Sequence, residues 1–316
     1  MTPTTRSSVA TRFGVILNPV SGTRDRDEKR ELLEGAFARH DVRGTILETE
    51  SESPRSDWLD LARDSDALLV AGGDGTLRDV VETLVRANVD TPVGHVPFGT
   101  ANVIARTLRI PENPEEALDE MIAATRAVRV DVGHALEPDR YFLVMAAAGF
   151  PADINEDAPR EMKAHWGGMA YLWGAARNVG SFLDPPKVTV RVPGQPDRSF
   201  QSAAVFVLNL GPMREFGTEM VRSVSCQDGQ LTVCAISGEN PWGLLAAAVD
   251  IVAGREQVSD GLTFVEAPSL EFESSREIVW QYDGELDEPR KVVRLRTLPK
   301  AANLLVGREF ELPDDR

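Results

Sequence analysis

Two carboxylates stand close together in Tyr282-Asp283-Gly284-Glu285-Leu286, on a tight Asp-Gly turn, and that pairing suits the transfer of a charged group to an alcohol. One acid can organise Mg2+ through water while the other accepts the proton of a substrate hydroxyl. Phosphoryl transfer asks for these parts and for a cradle around the donor phosphates. The chain offers a cradle in Leu69-Val70-Ala71-Gly72-Gly73-Asp74-Gly75-Thr76-Leu77-Arg78, where glycines, an acid and a hydroxyl fill the joint between an apolar run and a helix. Such a joint gathers unpaired backbone N–H groups at the positive end of a helix dipole, and glycine leaves room for an oxyanion to approach. Asn18-Pro19-Val20-Ser21-Gly22 and Phe98-Gly99-Thr100-Ala101-Asn102 are further turns with groups that can face a phosphate or a ribose. Each also has a plainer reading. Glycine can serve only a tight turn, and Asp-Gly, which recurs at Asp228-Gly229 and Asp260-Gly261, is first of all a hairpin signal.

Other chemistries are served less well. Gly72-Gly73-Asp74-Gly75-Thr76 is not followed by lysine, so there is no Walker loop, and the dinucleotide fingerprint does not fit. Neither a Gly-x-Ser-x-Gly nucleophile elbow nor a His-Glu-x-x-His zinc helix occurs.

The elements that must position these residues follow from periodicity. Short apolar runs at 13–17, 44–49, 67–71 and 92–97 read as strands, the third one as a strand buried on both faces. Helices alternate with them: 27–40, with Leu32, Leu33, Ala36 and Phe37 inward; one carrying Trp58, Leu61 and Ala62 after the loop 50–54; one with Leu77, Val80, Val81 and Leu84 on a single face; then 103–108 and 115–124, with Pro111 between them. This is a doubly wound α/β domain of Rossmann type, whose ligand is expected beyond the carboxyl ends of the strands, where all three polar turns fall. From Ala127 strands dominate, at 128–132, 141–147, 188–192, 204–209, 231–236, 262–266 and 278–282, and predict a second, mostly antiparallel domain. Helical inserts are expected at 160–182 and 242–253. The first holds Trp166, Met169, Tyr171, Leu172 and Trp173, which read as core or as a wall of an apolar substrate pocket.

Composition bounds the function. The chain has 316 residues, enough for two domains, and a formal net charge of −16, which argues against nucleic acid as a partner. The one modest basic cluster, Arg290, Lys291, Arg294 and Arg296, alternates like the solvated face of a strand. Cys226 and Cys234 suggest no disulfide framework and no metal site, so a reducing cytoplasm is expected. The apolar stretch at 13–17 is too short for a signal peptide, and 242–253 falls short of the ~20 residues that span a membrane.

Taken in order, Asn18-Pro19-Val20-Ser21-Gly22, Gly72-Gly73-Asp74-Gly75-Thr76, Pro97-Phe98-Gly99-Thr100-Ala101-Asn102, Asp228-Gly229 and Asp283-Gly284-Glu285 resemble the diacylglycerol kinase and sphingosine kinase family of lipid kinases over nearly the whole chain. Gly-Gly-Asp-Gly-Thr alone is shared with NAD kinases and, loosely, phosphofructokinases; the ordered set is more specific. The resemblance implies an N-terminal α/β nucleotide-binding domain over 12–126, to which 295–316 returns, and a C-terminal β-sandwich lipid-substrate domain with helical inserts over 127–294, flanking a cleft. It implies ATP contacts from Asn18, Ser21, Gly22, Thr49, Gly72, Gly73, Asp74, Gly75, Thr76 and Thr100, with Leu77, Arg78 and Asn102 beside them. By the same match Glu285 is the general base, and Asp74, Asp131 and Asp283 organise the catalytic Mg2+ and its waters. Asp228, with the carbonyls of Ser225 and Gln230, is similar to a structural Mg2+ site of the bacterial branch. Val103 departs from the pattern, because many bacterial diacylglycerol kinases carry Asp there. That departure bears on metal affinity or substrate choice, since valine neither coordinates nor accepts a proton.

The expected activity is transfer of the γ-phosphoryl group of ATP, with Mg2+, to the hydroxyl of a lipid, either diacylglycerol or a sphingoid-type alcohol. Transient membrane contact at the inner face is part of that expectation. An NAD kinase-like enzyme and a non-catalytic lipid-binding or regulatory protein that keeps the fold are the alternatives. Edge strands in a β-rich domain make a homodimer plausible.

Overall fold

The computed structural model describes residues 4–5, 10–49, 54–100, 102–124, 126–149, 184–210, 224–237 and 262–312. The expected helical inserts at 160–182 and 242–253, with the Trp166–Trp173 aromatic cluster, and the Asp260-Gly261 pair lie outside the described residues. The chain divides into two compact units, one of Met1–Val130 with Lys300–Leu312 and one centred on Asp131–Pro299.

In the first unit, β1 (Thr4–Thr5) pairs with the start of β6 (Arg126–Ala135). A parallel sheet runs in the order β3 (Arg43–Glu48), β2 (Arg12–Leu17), β4 (Ala67–Gly72), β5 (Val93–Pro97) and the end of β16 (Arg290–Leu305). Every residue of β4 is buried, as an apolar run covered on both faces should be. The register opposes Leu17 to Ala71 and Gly72 to Pro97, so β2, β4 and β5 end level and their turns leave from one edge.

Five helices connect these strands: α1 (Arg26–His40), α2 (Arg55–Arg63), α3 (Asp74–Arg86), α4 (Val103–Thr107) and α5 (Pro114–Ala123). Asp25 starts α1 by accepting the Glu28 N–H at 2.8 Å, and Asp41, at φ 52°, ends it. Asn113 caps α5 in the same way, with a proline in the first turn of the helix. The inward residues of α1 are Lys29, Leu33, Ala36 and Phe37, with Leu32 only half-buried. The helix after β4 begins at Asp74, so Gly75 and Thr76 belong to its first turn.

In the second unit the described ladders of the two layers are antiparallel. One layer runs β15 (Glu285–Leu286), β14 (Trp280–Tyr282), β8 (Met145–Gly149), β10 (Arg198–Leu208), β11 (Leu231–Ser237) and β12 (Leu262–Ala267). The other joins the first part of β10 to β9 (Lys187–Arg191), β13 (Ser269–Ile278) and the early part of β16. The register of β10 shifts between Ser202 and Ala204, and at that irregularity the strand passes from one layer to the other. Between the layers lies a core of Phe142, Val190, Val207, Val233, Phe272, Trp280 and Leu295, with the Phe272 and Trp280 rings 5.4 Å apart. Each of these larger side chains contributes about 1.5–3 kcal/mol by leaving water.

Two strand expectations need correction. The run 141–147 is not one strand: β7 (Arg140–Phe142) and β8 are separated at Leu143–Val144, because the amides there turn to the carboxylate of Asp283. Strand β13 was not expected, because only Leu270 and Phe272 give its inward face an apolar signal while Glu271, Glu273 and Arg276 face out.

Candidate functional site

The polar turns of the first unit meet through backbone. Asn18 N–H donates to Ala71 O at 2.9 Å and Phe98 N–H to Gly72 O at 2.9 Å, which zips the ends of β2, β4 and β5 one residue beyond their last ladder bonds. Asn18 Nδ2 then donates to Thr76 Oγ1 at 2.9 Å, while its Oδ1 accepts from Val20 N–H at 3.1 Å. The first and second turns are thus tied by one side chain. A Cβ on Gly99 would stand 2.7 Å from Gly73 Cα, and one on Gly73 would stand 3.5 Å from Ser21 Oγ. Only glycine permits the second and third turns to approach so closely.

Gly22 has a φ of +72°, and a Cβ there would lie 1.9 Å from Phe98 O. Gly22→Ala is therefore expected to cost about 2–4 kcal/mol in a urea unfolding titration, from left-handed strain and from a clash that only backbone movement relieves.

The N-terminus of α3 points into this cluster. Its N-cap is Gly73, which has no side chain to take an amide, and the first intrahelical bond belongs to Leu77 N–H, donating to Gly73 O at 3.1 Å. The amides of Asp74, Gly75 and Thr76 precede that bond and lie at the positive end of a 13-residue helix. That is where an oxyanion binds most readily. Ser21, Gly73, Gly75 and Thr76 are partly exposed around it and Thr100 is exposed, and Thr49 follows β3 at the same edge, its N–H on Leu17 O at 2.8 Å.

Three further residues of the expected set are held within the fold. Leu77 is buried in the core face of α3, where it seats the helix, and its N–H donates to Gly73 O. Arg78 is buried too, with Asp79 Oδ1 2.8 Å from its guanidinium. Asn102 adopts a φ of 47°, donates through Nδ2 to Gly99 O at 2.9 Å and shapes the third turn.

Asp74 Oδ2 accepts from Val103 N–H at 3.0 Å and Oδ1 from Ile104 N–H at 2.9 Å. It caps α4, which its own N-cap Asn102 does not cap. The distinctive Val103 thus meets Asp74 through its amide. Asp74→Ala is expected to lower stability by about 1–3 kcal/mol, since two amides lose a charged acceptor, and a urea midpoint measures this. Each Asp74 oxygen keeps acceptor capacity beyond its one amide, so a water-mediated role toward Mg2+ stays compatible with the cap.

Two residues at this edge were missed by sequence reasoning. His95 is buried in β5, its Nε2 3.1 Å from Gly72 O. Burial pulls its pKa below the ordinary imidazole value, against the Asp74 carboxylate, so a neutral ring donates through Nε2 to that carbonyl. Lys29 is fully buried, with Nζ 2.6 Å from Ser21 O and 2.8 Å from Pro19 O. The signal was present: Lys29 falls four residues before Leu33, on the inward stripe of α1.

In the second unit, Asp283 and Gly284 form a two-residue hairpin, both at positive φ, 47° and 88°, with Tyr282 opposite Glu285. The Asp283 carboxylate accepts three amides: Leu143 N–H at 2.7 Å on Oδ2, and Val144 and Met145 N–H at 2.9 and 3.0 Å on Oδ1. It anchors the hairpin to the β7–β8 break, and Glu285 is presented on the exposed side of that hairpin.

Asp131 is gathered with a different loop. It is fully buried; its Oδ2 accepts from Gly229 N–H at 2.7 Å and its own N–H donates to Cys226 O at 2.7 Å. Asp228 Oδ1 accepts from Gln230 N–H at 2.9 Å, and Ser225 opens the same loop. Burial first, and then the Asp131 carboxylate, push the Cys226 thiol up to about 12, so it stays protonated and inert. Asn209 ties the backbone of Asp131 to the β7–β8 break, its Nδ2 donating to Asp131 O at 2.8 Å and to Leu143 O at 2.7 Å. Asp131, Asp228 and the backbone carbonyls of this loop offer oxygen atoms, the donor chemistry that suits a hard cation such as Mg2+. Among the described residues no three His, Cys, Asp or Glu side chains gather as a metal cluster. No described helix is long and apolar enough to cross a membrane.

Comparison with known proteins gives this arrangement its relatives. Residues 12–135 match the diacylglycerol kinase catalytic domain, and 144–306 match the YegS C-terminal NAD kinase beta sandwich-like domain. A protein of Pseudomonas putida named probable lipid kinase YegS-like is 31% identical over 241 residues, 75% of each chain. A diacylglycerol kinase of Staphylococcus haemolyticus is 26% identical over 86% of this chain and 81% of its own. Among solved structures, one from Bacillus anthracis str. Sterne superimposes on 96% of this chain and 100% of its own with a TM-score of 0.78 at 23% identity. An NAD kinase from Archaeoglobus fulgidus, solved with ATP, gives a TM-score of 0.51 at 13% identity over 94% of each chain. At these identities the solved structures show a shared fold.

Proposed function

The chain belongs to the diacylglycerol kinase catalytic-domain family, with the YegS-type C-terminal domain behind it, and from that premise we propose that it is an ATP- and Mg2+-dependent kinase that phosphorylates the hydroxyl of a lipid. The observation that carries this reading is the meeting of glycine turns at the ends of β2, β4 and β5, around the uncapped amides of α3. Those amides, with Ser21 and Thr100 beside them, take the phosphates of ATP. A cradle built from backbone and small side chains binds by shape and dipole, and needs no Walker lysine.

Bound Mg2+ supplies neutralisation of the charge that builds on the transferred phosphoryl group. Asp74 is the acid placed to hold it through water; Asp131, Asp228 and the carbonyls of Ser225 and Gln230 are the set for a structural ion. Glu285 accepts the proton of the lipid hydroxyl, and the Asp283 anchor holds its hairpin in one conformation. Asp283 thus serves the base by position, its carboxylate being committed to three amides. The lipid itself lies in a membrane, so the enzyme works in transient contact with a bilayer surface.

A panel of acceptors tests the proposal. Purified protein with ATP and Mg2+ is given diacylglycerol, sphingosine, glycerol and NAD in separate reactions, and products are identified by mass spectrometry. A phosphorylated lipid is the expected product. Formation of NADP would make this an NAD kinase, and ATP binding with no phosphorylated product would leave a lipid-binding protein on a kinase fold.

A further inference from the structure

The residue that the phosphoryl-transfer reading leaves unexplained is Lys29. A buried ammonium costs several kcal/mol unless its surroundings compensate, and the other inward positions of α1 are the apolar Leu33, Ala36 and Phe37. Its surroundings are the first turn. Nζ lies 2.6 Å from Ser21 O, 2.8 Å from Pro19 O and 3.4 Å from Asn18 O, so its three protons are spent on carbonyls of that turn. It also sits 5.5 Å from the centre of the Phe98 ring, which opens the third turn. The Phe98 carbonyl in turn occupies the place a Cβ on Gly22 would need. Burial lowers the Lys29 pKa from the ordinary lysine value, and the Asp25 carboxylate acts through space against that.

Two consequences follow from the geometry. In a planar trans peptide the C=O and the next N–H point in opposite directions. Drawing Ser21 O toward Lys29 therefore turns the Gly22 N–H away from it, out of the turn. Moreover, the positive charge is met by carbonyl dipoles and not by a bonded carboxylate, so its field is not cancelled at contact.

We propose that Lys29 is the positioning residue of the nucleotide cradle, clamping the Asn18–Ser21 carbonyls inward so that the turn presents its amide outward, and setting a positive charge behind it for the phosphate chain. This rests on the reading of that edge as an ATP site.

The test uses Lys29→Met, which removes charge and donors at similar length, and Lys29→Gln, which keeps donors without charge. Three quantities are read on each: hydrogen exchange of 18–22 without nucleotide, affinity for ATP, and affinity for adenosine, with circular dichroism to establish folding. In Lys29→Met, exchange of the segment should rise and ATP affinity fall at least about tenfold, adenosine changing less than about twofold. Lys29→Gln should keep near-native exchange and still lose ATP affinity severalfold. Native exchange in folded Lys29→Met overturns the clamp, and equal losses for ATP and adenosine overturn the electrostatic role. If Lys29→Met does not fold, Lys29→Gln decides: unchanged ATP affinity overturns the proposal. Loosened exchange in a protein whose wild type does not bind ATP would support the clamp while removing the kinase reading.

Discussion

Replacing Asp283 by alanine is expected to destabilise the protein by about 3–5 kcal/mol, because three amides lose one charged acceptor and the β7–β8 break loses its anchor. Hydrogen bonds to an ionised group are worth about 1.5–3 kcal/mol each, and they share one carboxylate, so the sum is less than three independent bonds. Alanine also fits the left-handed backbone of this position poorly, at φ 47°. Asp283→Asn separates the causes. Asparagine tolerates that conformation and keeps one acceptor oxygen, so it should fall between wild type and alanine. Equilibrium unfolding in urea measures all three proteins. An alanine variant with the wild-type midpoint would mean that these amides find water without loss and that Asp283 has no anchoring task.

Glu285, two positions on, should behave in the opposite way. It is exposed on the hairpin, and Glu285→Gln changes neither size nor backbone preference, so stability should stay within about 0.5 kcal/mol. Turnover should fall by about 100- to 10,000-fold, the usual worth of a positioned general base. The contrast is the informative part. Within one four-residue hairpin, an acid that fixes structure and an acid that does chemistry should separate cleanly, one losing stability with its activity and the other losing activity alone. ATP affinity in Glu285→Gln should stay close to wild type, because the cradle belongs to residues of the first unit.

Much of this organisation was legible in the chain. The buried run of β4, the strand and helix alternation up to Ala123 and the antiparallel strands after it follow from periodicity alone, because apolar residues repeat with a period of 2 or 3.6 wherever one face is buried. The three turns also announced themselves, since Gly22, Gly72 and Gly99 each occupy a place where a Cβ would come within 3 Å of another atom. What could not be read is the use each polar side chain makes of distant backbone. Asp74 caps a helix that begins 29 residues later, and nothing local to Val103 says so. Asp283 breaks a strand 140 residues upstream, where Leu143 and Val144 are as apolar as any strand interior. Lys29 stands among the many charged residues of α1, and only its place on the inward stripe distinguishes it. Nor does the sequence say that Asp131 bonds the 225–230 loop, about a hundred residues downstream, through Gly229 N–H and Cys226 O.

The most direct test of the account follows the γ-phosphate itself. ATP labelled at that position is supplied with Mg2+ to the wild-type protein and to Glu285→Gln, in the presence of vesicles carrying diacylglycerol or sphingosine, and label is counted in the extracted lipid. The account predicts label in lipid with the wild type, its loss on chelating the Mg2+, and a fall of about 100-fold or more with Glu285→Gln at unchanged ATP affinity. Label that reaches lipid equally well with both proteins, or wild-type protein that binds ATP and labels no lipid, would contradict it.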